Sequence, residues 1–168
     1  MADPASLLEP LIPALRRYAY ALLRDHDAAD DLVQDTLERA LSRWRLRRPD
    51  GDLRAWLFTM QRNLFINDWR QRQRRGPHAS LDDVASPATA GQQEAGLEMR
   101  DVLAALDQLP EEQKSLLLLI GVEDFSYDDA ARILGVPMGT VMSRLSRGRQ
   151  KLRSILETGR ATLLRRVK

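Results

Sequence analysis

The chain has 168 residues, with 26 Lys and Arg, 24 Asp and Glu, two His and no Cys. The lack of cysteine excludes a disulfide framework and a thiolate metal site, and the two histidines lie too far apart in sequence to suggest a zinc site or a catalytic triad. No apolar run is long enough to cross a bilayer and the N-terminus lacks the basic region of a signal peptide. We therefore expect a soluble, cytoplasmic protein that does not insert into membranes.

The residue pattern predicts an all-α fold. Alternating strand-like runs are almost absent, whereas Ala, Leu, Arg, Glu and Gln dominate and apolar residues recur every three to four positions. In the first part of the chain this spacing predicts three helices, at about 7–23, 27–44 and 52–74. Asp27 is the predicted N-cap of the second helix.

The second predicted helix has an acidic face. Asp31, Gln34, Asp35 and Glu38 recur at three- and four-residue spacing, away from an apolar side that includes Val33. Such a face is usually only solvated, and the residues alone favour that interpretation. Paired carboxylates can also perform acid–base catalysis, but no histidine accompanies them in this segment.

The third predicted helix carries an aromatic stripe beside a polar row. The stripe consists of Phe58, Phe65 and Trp69, and the row consists of Asn63, Asn67, Arg70 and Arg74. Aromatic residues at helical spacing usually belong to a core, whereas aromatic platforms beside cationic side chains bind single-stranded nucleic acid. From the residues alone, both interpretations stay open.

Residues 76–96 are rich in Gly, Pro, Ala and Ser and show no periodicity, which predicts a flexible linker. Fully extended, such a segment would reach roughly 70 Å. The sequence therefore predicts two small helical domains, residues 1–75 and 97–168, joined by this linker.

The second domain is again predicted to be helical, with helices at about 97–109, 110–120, 126–134 and 138–156. Pro110 suits the first position of its helix, because proline lacks the amide hydrogen that would be unpaired there. These four segments show no internal repeat of the first three.

A helix-turn-helix is the most specific local signal. Ser126 and Asp129 form an S-x-x-D capping box, Gly135 is a typical helix end, and Val136 and Pro137 complete a tight turn. Two short helices joined by a glycine-containing turn are typical of DNA-binding proteins.

The charge distribution agrees with a DNA-binding segment. Residues 101–131 carry one Lys and eight acidic residues, whereas residues 132–168 carry ten Lys and Arg and one acidic residue. In the last helix, one side is predicted to be buried, and the polar residues of the other side could bind in the major groove of DNA. The alternative interpretation of this segment is an ordinary helical hairpin with a solvated basic face. The predicted buried side is Val141, Leu145, Leu152 and Leu156; the polar side includes Thr140, Ser143, Arg144, Arg147 and Lys151.

Three strings, taken in order, resemble the extracytoplasmic-function (ECF, group IV) sigma factors of bacterial RNA polymerase. They are DDLVQDTLERA, RAWLFTMQRNLFINDWR and LPEEQKSLLLLIGVEDFSYDDAARILGVPMGTVMSRLSRGRQKL. The resemblance covers nearly the whole chain and implies a sigma region 2-like domain, a linker and a sigma region 4-like domain.

The resemblance also implies roles for individual residues. The acidic helix would bind the β′ clamp helices of core RNA polymerase, the third helix would read and melt the −10 element, and the last helix would read the −35 element. The implied polymerase-binding residues are Asp30, Asp31, Gln34, Asp35 and Glu38. The implied −10 residues are Trp56, Asn63, Asn67, Trp69, Arg70 and Arg74, and the implied −35 residues are Thr140, Ser143, Arg144, Arg147, Arg149 and Lys151.

Further partners implied by the resemblance are the β flap of the polymerase, promoter DNA and an anti-sigma factor, in the setting of a stress response. The resemblance also implies a protein that is not an enzyme and needs no metal or cofactor. Two other functions remain open at this point. One is a stand-alone helix-turn-helix regulator, and the other is a sigma-like decoy that binds only an anti-sigma factor.

Overall fold

The computed structural model describes residues 2–75 and 94–167, and the side chains of residues 2–75 and 99–159. Every regular element in these ranges is a helix, which confirms the all-α prediction. The predicted linker, 76–96, lies outside the described residues except for its last three, which are helical rather than linker. Across the described ranges, no helix combines the length and the apolar character needed to cross a membrane.

The chain divides into two compact units. The helices up to Arg75 belong to the first unit, and the helices from Glu94 onward make up most of the second. The helices of the first unit are α1 (Pro4–Leu8), a 3₁₀ turn (Glu9–Leu11), α2 (Ile12–Leu23), α3 (His26–Ser42), a second 3₁₀ turn (Trp44–Leu46) and α4 (Leu53–Arg75).

Two predictions for the first unit are corrected by these bounds. The single helix expected over 7–23 is interrupted by a 3₁₀ turn, because Pro10 and Pro13 lack the amide donors of a continuous α-helix. The N-cap of α3 is Asp25 rather than Asp27, since the backbone N–H of Ala28 donates to Asp25 Oδ1 over 3.1 Å.

The core of the first unit is formed where α2, α3 and α4 pack together. Tyr18 of α2 and Phe58 of α4 are fully buried, with ring centroids 5.3 Å apart. The buried side chain of Gln61 donates from Nε2 to the main-chain oxygen of Leu15 over 3.0 Å. This hydrogen bond fixes the rotation of α4 about its axis, and so determines which side of α4 is left at the surface.

The second unit contains α5 (Glu94–Asp107), α6 (Glu111–Gly121), α7 (Tyr127–Leu134) and α8 (Met138–Val167). Pro110 immediately precedes α6 instead of being its first residue, and α8 continues well beyond the predicted end at 156. Between α5 and α6, Lys114 Nζ donates to Asp107 Oδ1 over 2.7 Å. This ion pair, in which the lysine is buried and the aspartate is exposed, ties the start of α6 to the end of α5.

The predicted helix-turn-helix is present as α7, a three-residue turn and α8. Ser126 Oγ accepts a hydrogen bond from the backbone N–H of Asp129 over 3.0 Å, which caps α7. Gly135 has φ +66°, a conformation that glycine adopts without the steric cost that other residues meet. The capping and the turn chemistry of the sequence therefore act as expected.

The buried side of α8 packs on α6. Val141 and Leu145 are buried as predicted, whereas Leu152 and Leu156 are only half-buried. Gly148 lies on the same side of α8, and a Cβ atom there would come within 3.3 Å of Leu117 Cδ1 in α6. The close approach of the two helices fixes which side chains of α8 remain accessible.

Candidate functional site

The acidic face of α3 is fully exposed. Asp30, Asp31, Gln34, Asp35 and Glu38 are all at the surface, while Leu32 and Val33 on the other side of the helix are buried. Thr36 is also buried, and its hydroxyl donates to the main-chain oxygen of Leu32 over 2.7 Å. The helix therefore packs through its apolar side and presents the predicted carboxylates to solvent.

Few contacts within the first unit involve these carboxylates. Asp30 Oδ1 lies 3.2 Å from Arg16 Nε in a solvent-exposed ion pair, and Gln34 Nε2 donates to Glu38 Oε1 over 3.3 Å. Among the described side chains, neither Asp31 nor Asp35 has an ion-pair partner. Two unpaired carboxylates one helical turn apart form a surface suited to a cationic partner.

The aromatic stripe predicted for α4 divides between the core and the surface. Phe58 and Phe65 are buried, whereas Trp69 is 43% exposed. From Asn67 to Arg75 every side chain of α4 is exposed, so the second half of the helix presents amides and guanidiniums to solvent. The core interpretation is therefore confirmed for Phe58 and Phe65, and the nucleic-acid interpretation stays a prediction for the exposed part of the helix.

One of the two candidate tryptophans, Trp56, lies on the same side of α4 as the polar row. Successive residues of an α-helix are rotated by 100°, and Trp56 and Arg74 are separated by five full turns. The same period places Asn63, Asn67 and Arg70 within about 40° of this line. Trp69 lies on a different side of α4. We call the aligned set, Trp56, Asn63, Asn67, Arg70 and Arg74, the α4 polar face.

An aromatic cluster that the sequence analysis missed lies at one end of the α4 polar face. Trp56 packs edge-to-face with Trp44, with ring centroids 6.2 Å apart, and Arg47 covers the Trp44 ring at 4.4 Å. Trp56 and Trp44 are both half-buried. The signal that could have found the cluster is the string RWRLRRPD, in which one tryptophan is surrounded by four arginines.

In α8 the structure brings five of the six −35 candidates together. Thr140, Arg144, Arg147 and Lys151 follow one another at three- and four-residue spacing, and Ser143 Oγ donates to the main-chain oxygen of Thr140 over 3.2 Å. Ser143, Arg147 and Lys151 are exposed, while Thr140 and Arg144 are half-buried. We call these five residues the α8 cationic face.

Arg149 is separated from this face. It lies nine residues after Thr140, which is a rotation of half a turn about the helix axis. Its side chain instead lines a shallow depression with Tyr127, Met142 and Arg153. Arg149 therefore occupies the opposite flank of α8, which the count of basic residues in the sequence did not reveal.

Comparison with known proteins matches both units to sigma-factor domains. Residues 8–61 match the family model described as "Sigma2 domain of PhyR", and residues 99–152 match the model described as "Sigma-70, region 4". The chain is 44% identical over 145 residues to the ECF RNA polymerase sigma factor EcfG of Rhodopseudomonas palustris, covering 86% of this chain and 80% of that protein.

The solved structures agree with this relationship. The sigma factor RpoE of Bartonella quintana, in complex with the anti-sigma factor NepR, superposes with a TM-score of 0.77 and 38% identity, covering 90% of this chain and 95% of that one. The anti-anti-sigma factor PhyR of the same organism shares the fold alone, with 17% identity and a TM-score of 0.60, covering 89% of this chain and 49% of that one. The chain belongs to the ECF sigma factors of RNA polymerase.

Proposed function

We propose that this protein binds core RNA polymerase and directs it to promoters carrying a −10 and a −35 element. The observation that carries this function is the order of the surfaces along one chain. An exposed carboxylate face and an amide–guanidinium face lie in a sigma 2-like unit, and a cationic helix-turn-helix lies in a sigma region 4-like unit. A sigma factor needs all three surfaces together.

In the proposed division of labour, residues 1–75 bind the polymerase and the −10 element, and residues 97–168 bind the −35 element. Residues 76–96 connect these two activities. The exposed Asp31 and Asp35 would meet cationic side chains of the β′ clamp helices, and opposite charges at such a surface speed the encounter and fix its orientation. The β flap of the polymerase would contact the second unit.

The α4 polar face supports a role in holding the displaced DNA strand. Exposed amides can hydrogen-bond to base edges, guanidiniums can bind phosphates, and an indole ring can stack on a base. Trapping extruded bases would offset an unstacking cost of a few kcal/mol, so the duplex could open without covalent chemistry or a cofactor. Trp69 would contribute from a different side of α4, where it is exposed.

The α8 cationic face supports recognition of duplex DNA at the −35 element. Arginine can bind a guanine edge through two hydrogen bonds, whereas Ser and Thr bind phosphates or bases. Arg144 and Arg147 are the proposed base-reading residues, and Thr140, Ser143 and Lys151 would position the helix. Arg149 is proposed to contribute a weaker, electrostatic contact from the opposite flank of α8.

We infer an anti-sigma factor as a regulatory partner. The relative of 38% identity was solved in complex with such a factor, and the acidic and cationic faces described here are exposed surfaces that an inhibitor could cover. Because the proposed activity depends on RNA polymerase, we place the protein in the cytoplasm.

The proposed function is tested by promoter selection from a random DNA library. The protein reconstituted with core polymerase is expected to enrich duplexes that share two separated elements, while the protein alone enriches none. Enrichment of a single operator-like sequence without polymerase would instead support a stand-alone regulator.

A sigma-like decoy is the second candidate, favoured only by the shared fold with PhyR. A decoy that binds an anti-sigma factor has no need of a DNA-reading surface. Substituting Arg144 and Arg147 with Ala would therefore leave the cellular effect of a decoy intact, and the same change is expected to abolish transcription by a sigma factor.

A further inference from the structure

Among the cationic side chains of α8 that the structure describes, Arg144 differs from the rest because it is paired with an acidic residue of another helix. Its Nη2 atom lies 3.6 Å from Oε2 of Glu112, in the first turn of α6. Within the described residues, Arg147 and Lys151 have no ion-pair partner. The Arg144 side chain is only 26% exposed, whereas Glu112 is 61% exposed.

The pair contributes little to folding stability. An exposed carboxylate is screened by water, and pairs of this kind typically contribute from nothing to about 1 kcal/mol. The neighbouring acid is engaged differently, since Ser115 Oγ donates to Glu111 Oε1 over 2.9 Å. The carboxylate of Glu112 is thus directed at the α8 cationic face.

A carboxylate beside an arginine changes what that arginine binds. The flexible side chain is held in one orientation, and the contact through Nη2 leaves other guanidinium donors available for a base edge. The carboxylate also offsets the positive charge that would otherwise attract any phosphate, so binding to unrelated DNA is weakened. Both effects favour a sequence-specific contact over a non-specific one.

We propose that Glu112 is a positioning residue that makes Arg144 a sequence-reading contact at the −35 element. This inference rests on the proposed function of α8 and assigns to α6 a part in promoter specificity. A purely structural role for Glu112, as a staple between α6 and α8, would change thermal stability and leave sequence discrimination unaltered.

The test compares Glu112→Gln with the unmodified protein in the reconstituted polymerase complex. The probe is the promoter duplex selected from the library, and the competitor is the same duplex with a scrambled −35 element. Removing the carboxylate is expected to lower the ratio of the affinity for the promoter duplex to that for the competitor about fivefold. Most of this change should come from tighter binding to the competitor, with the log–log salt slope on that duplex steeper by about one.

The matched control is Glu111→Gln, which removes one negative charge from the same helical turn and preserves a hydrogen-bond acceptor for Ser115. It is expected to leave the affinity ratio and the salt slope unchanged. In an Arg144→Ala background, Glu112→Gln is expected to have no further effect on the ratio, because its target is absent.

The outcomes separate this inference from the function on which it rests. A wild-type complex that does not discriminate between the two duplexes would overturn the proposed function, and with it the role of Glu112. Normal discrimination by the wild type, together with an unchanged ratio in Glu112→Gln or the same loss in Glu111→Gln, would overturn the role of Glu112 alone.

Discussion

At the residue scale, Gly148 illustrates how a single missing side chain shapes the second unit. A Cβ there would lie 3.3 Å from Leu117 Cδ1 and 3.4 Å from Gln113 Cβ, so both side chains would have to shift by a few tenths of an ångström to admit it. A residue that branches at Cβ adds further atoms at this close contact between α6 and α8. The packing behind the α8 cationic face is therefore sensitive to a glycine that carries no chemistry of its own.

Gly148→Val is accordingly expected to destabilise the second unit by about 2 kcal/mol through overpacking. The measurement is urea denaturation followed by circular dichroism. The control is Gly159→Val in the same helix, because a Cβ there would meet no atom within 4 Å. Valine is a better helix former than glycine, so Gly159→Val is expected to be neutral or slightly stabilising, and an equal loss at both positions would contradict the role assigned to close packing at Gly148.

A second prediction at this scale concerns the two flanks of α8. Arg147→Ala is expected to weaken binding of the promoter duplex by roughly tenfold or more if it reads a base. Arg149→Ala, on the opposite flank, should weaken binding by a smaller factor and equally for all sequences. Competition binding with specific and scrambled duplexes measures both effects, and a larger sequence-specific loss for Arg149 would contradict the proposed orientation of the helix.

At the scale of helices and turns, α3 links an apolar side that builds the core to an exposed carboxylate face. Asp31→Lys combined with Asp35→Lys is expected to abolish co-elution with core polymerase, because two attractive contacts become repulsive. Since both side chains are exposed, helicity and thermal stability should be preserved. The control reverses two exposed acids of the same unit outside α3, Asp3→Lys with Glu9→Lys, and loss of polymerase binding there would argue against a specific face.

The helices that the sequence predicted well are those whose signals are local. The capping residue Ser126 and the left-handed Gly135 act through neighbouring backbone atoms, and the apolar spacing of α3 correctly separates its buried and exposed sides. Asp27 was the wrong cap because Asp25, two residues earlier, also has a suitable side chain, and only the backbone path decides between them.

Other features could not be predicted from the sequence, because they depend on packing between segments that are distant in the chain. The Trp44–Trp56 contact and the Glu112–Arg144 pair join residues on different elements, and no spacing in the sequence indicates them. Likewise, Gln61 is a polar residue that the sequence gives no reason to bury, and its place in the core depends on the carbonyl of Leu15. The division of the α4 aromatic residues between core and surface follows from the same packing.

At the scale of the whole molecule, the reach of the segment that joins the two units limits the separation of the promoter elements that they are proposed to bind. With α5 beginning at Glu94, the connecting segment is 76–93, shorter than the predicted linker. These residues could span roughly 60 Å when extended. This is on the order of two helical turns of DNA, the separation that two promoter elements require.

Deleting residues 78–89 is therefore expected to abolish transcription from promoters that need both elements, because the remaining segment reaches only roughly 20 Å. Replacing the same residues with a Gly-Ser sequence of equal length should restore it. Abortive initiation assays on two-element promoters measure this effect, and full activity after the deletion would show that the two units do not bind both elements at once.

The most direct measurement of the central claim is run-off transcription with purified, sigma-free core polymerase. Adding this protein is expected to produce transcripts of defined length from promoters chosen by library selection, and the Asp31→Lys/Asp35→Lys variant should produce none. Transcripts that are absent, or that start at the same positions without the protein, would contradict its assignment as the subunit that selects the start site.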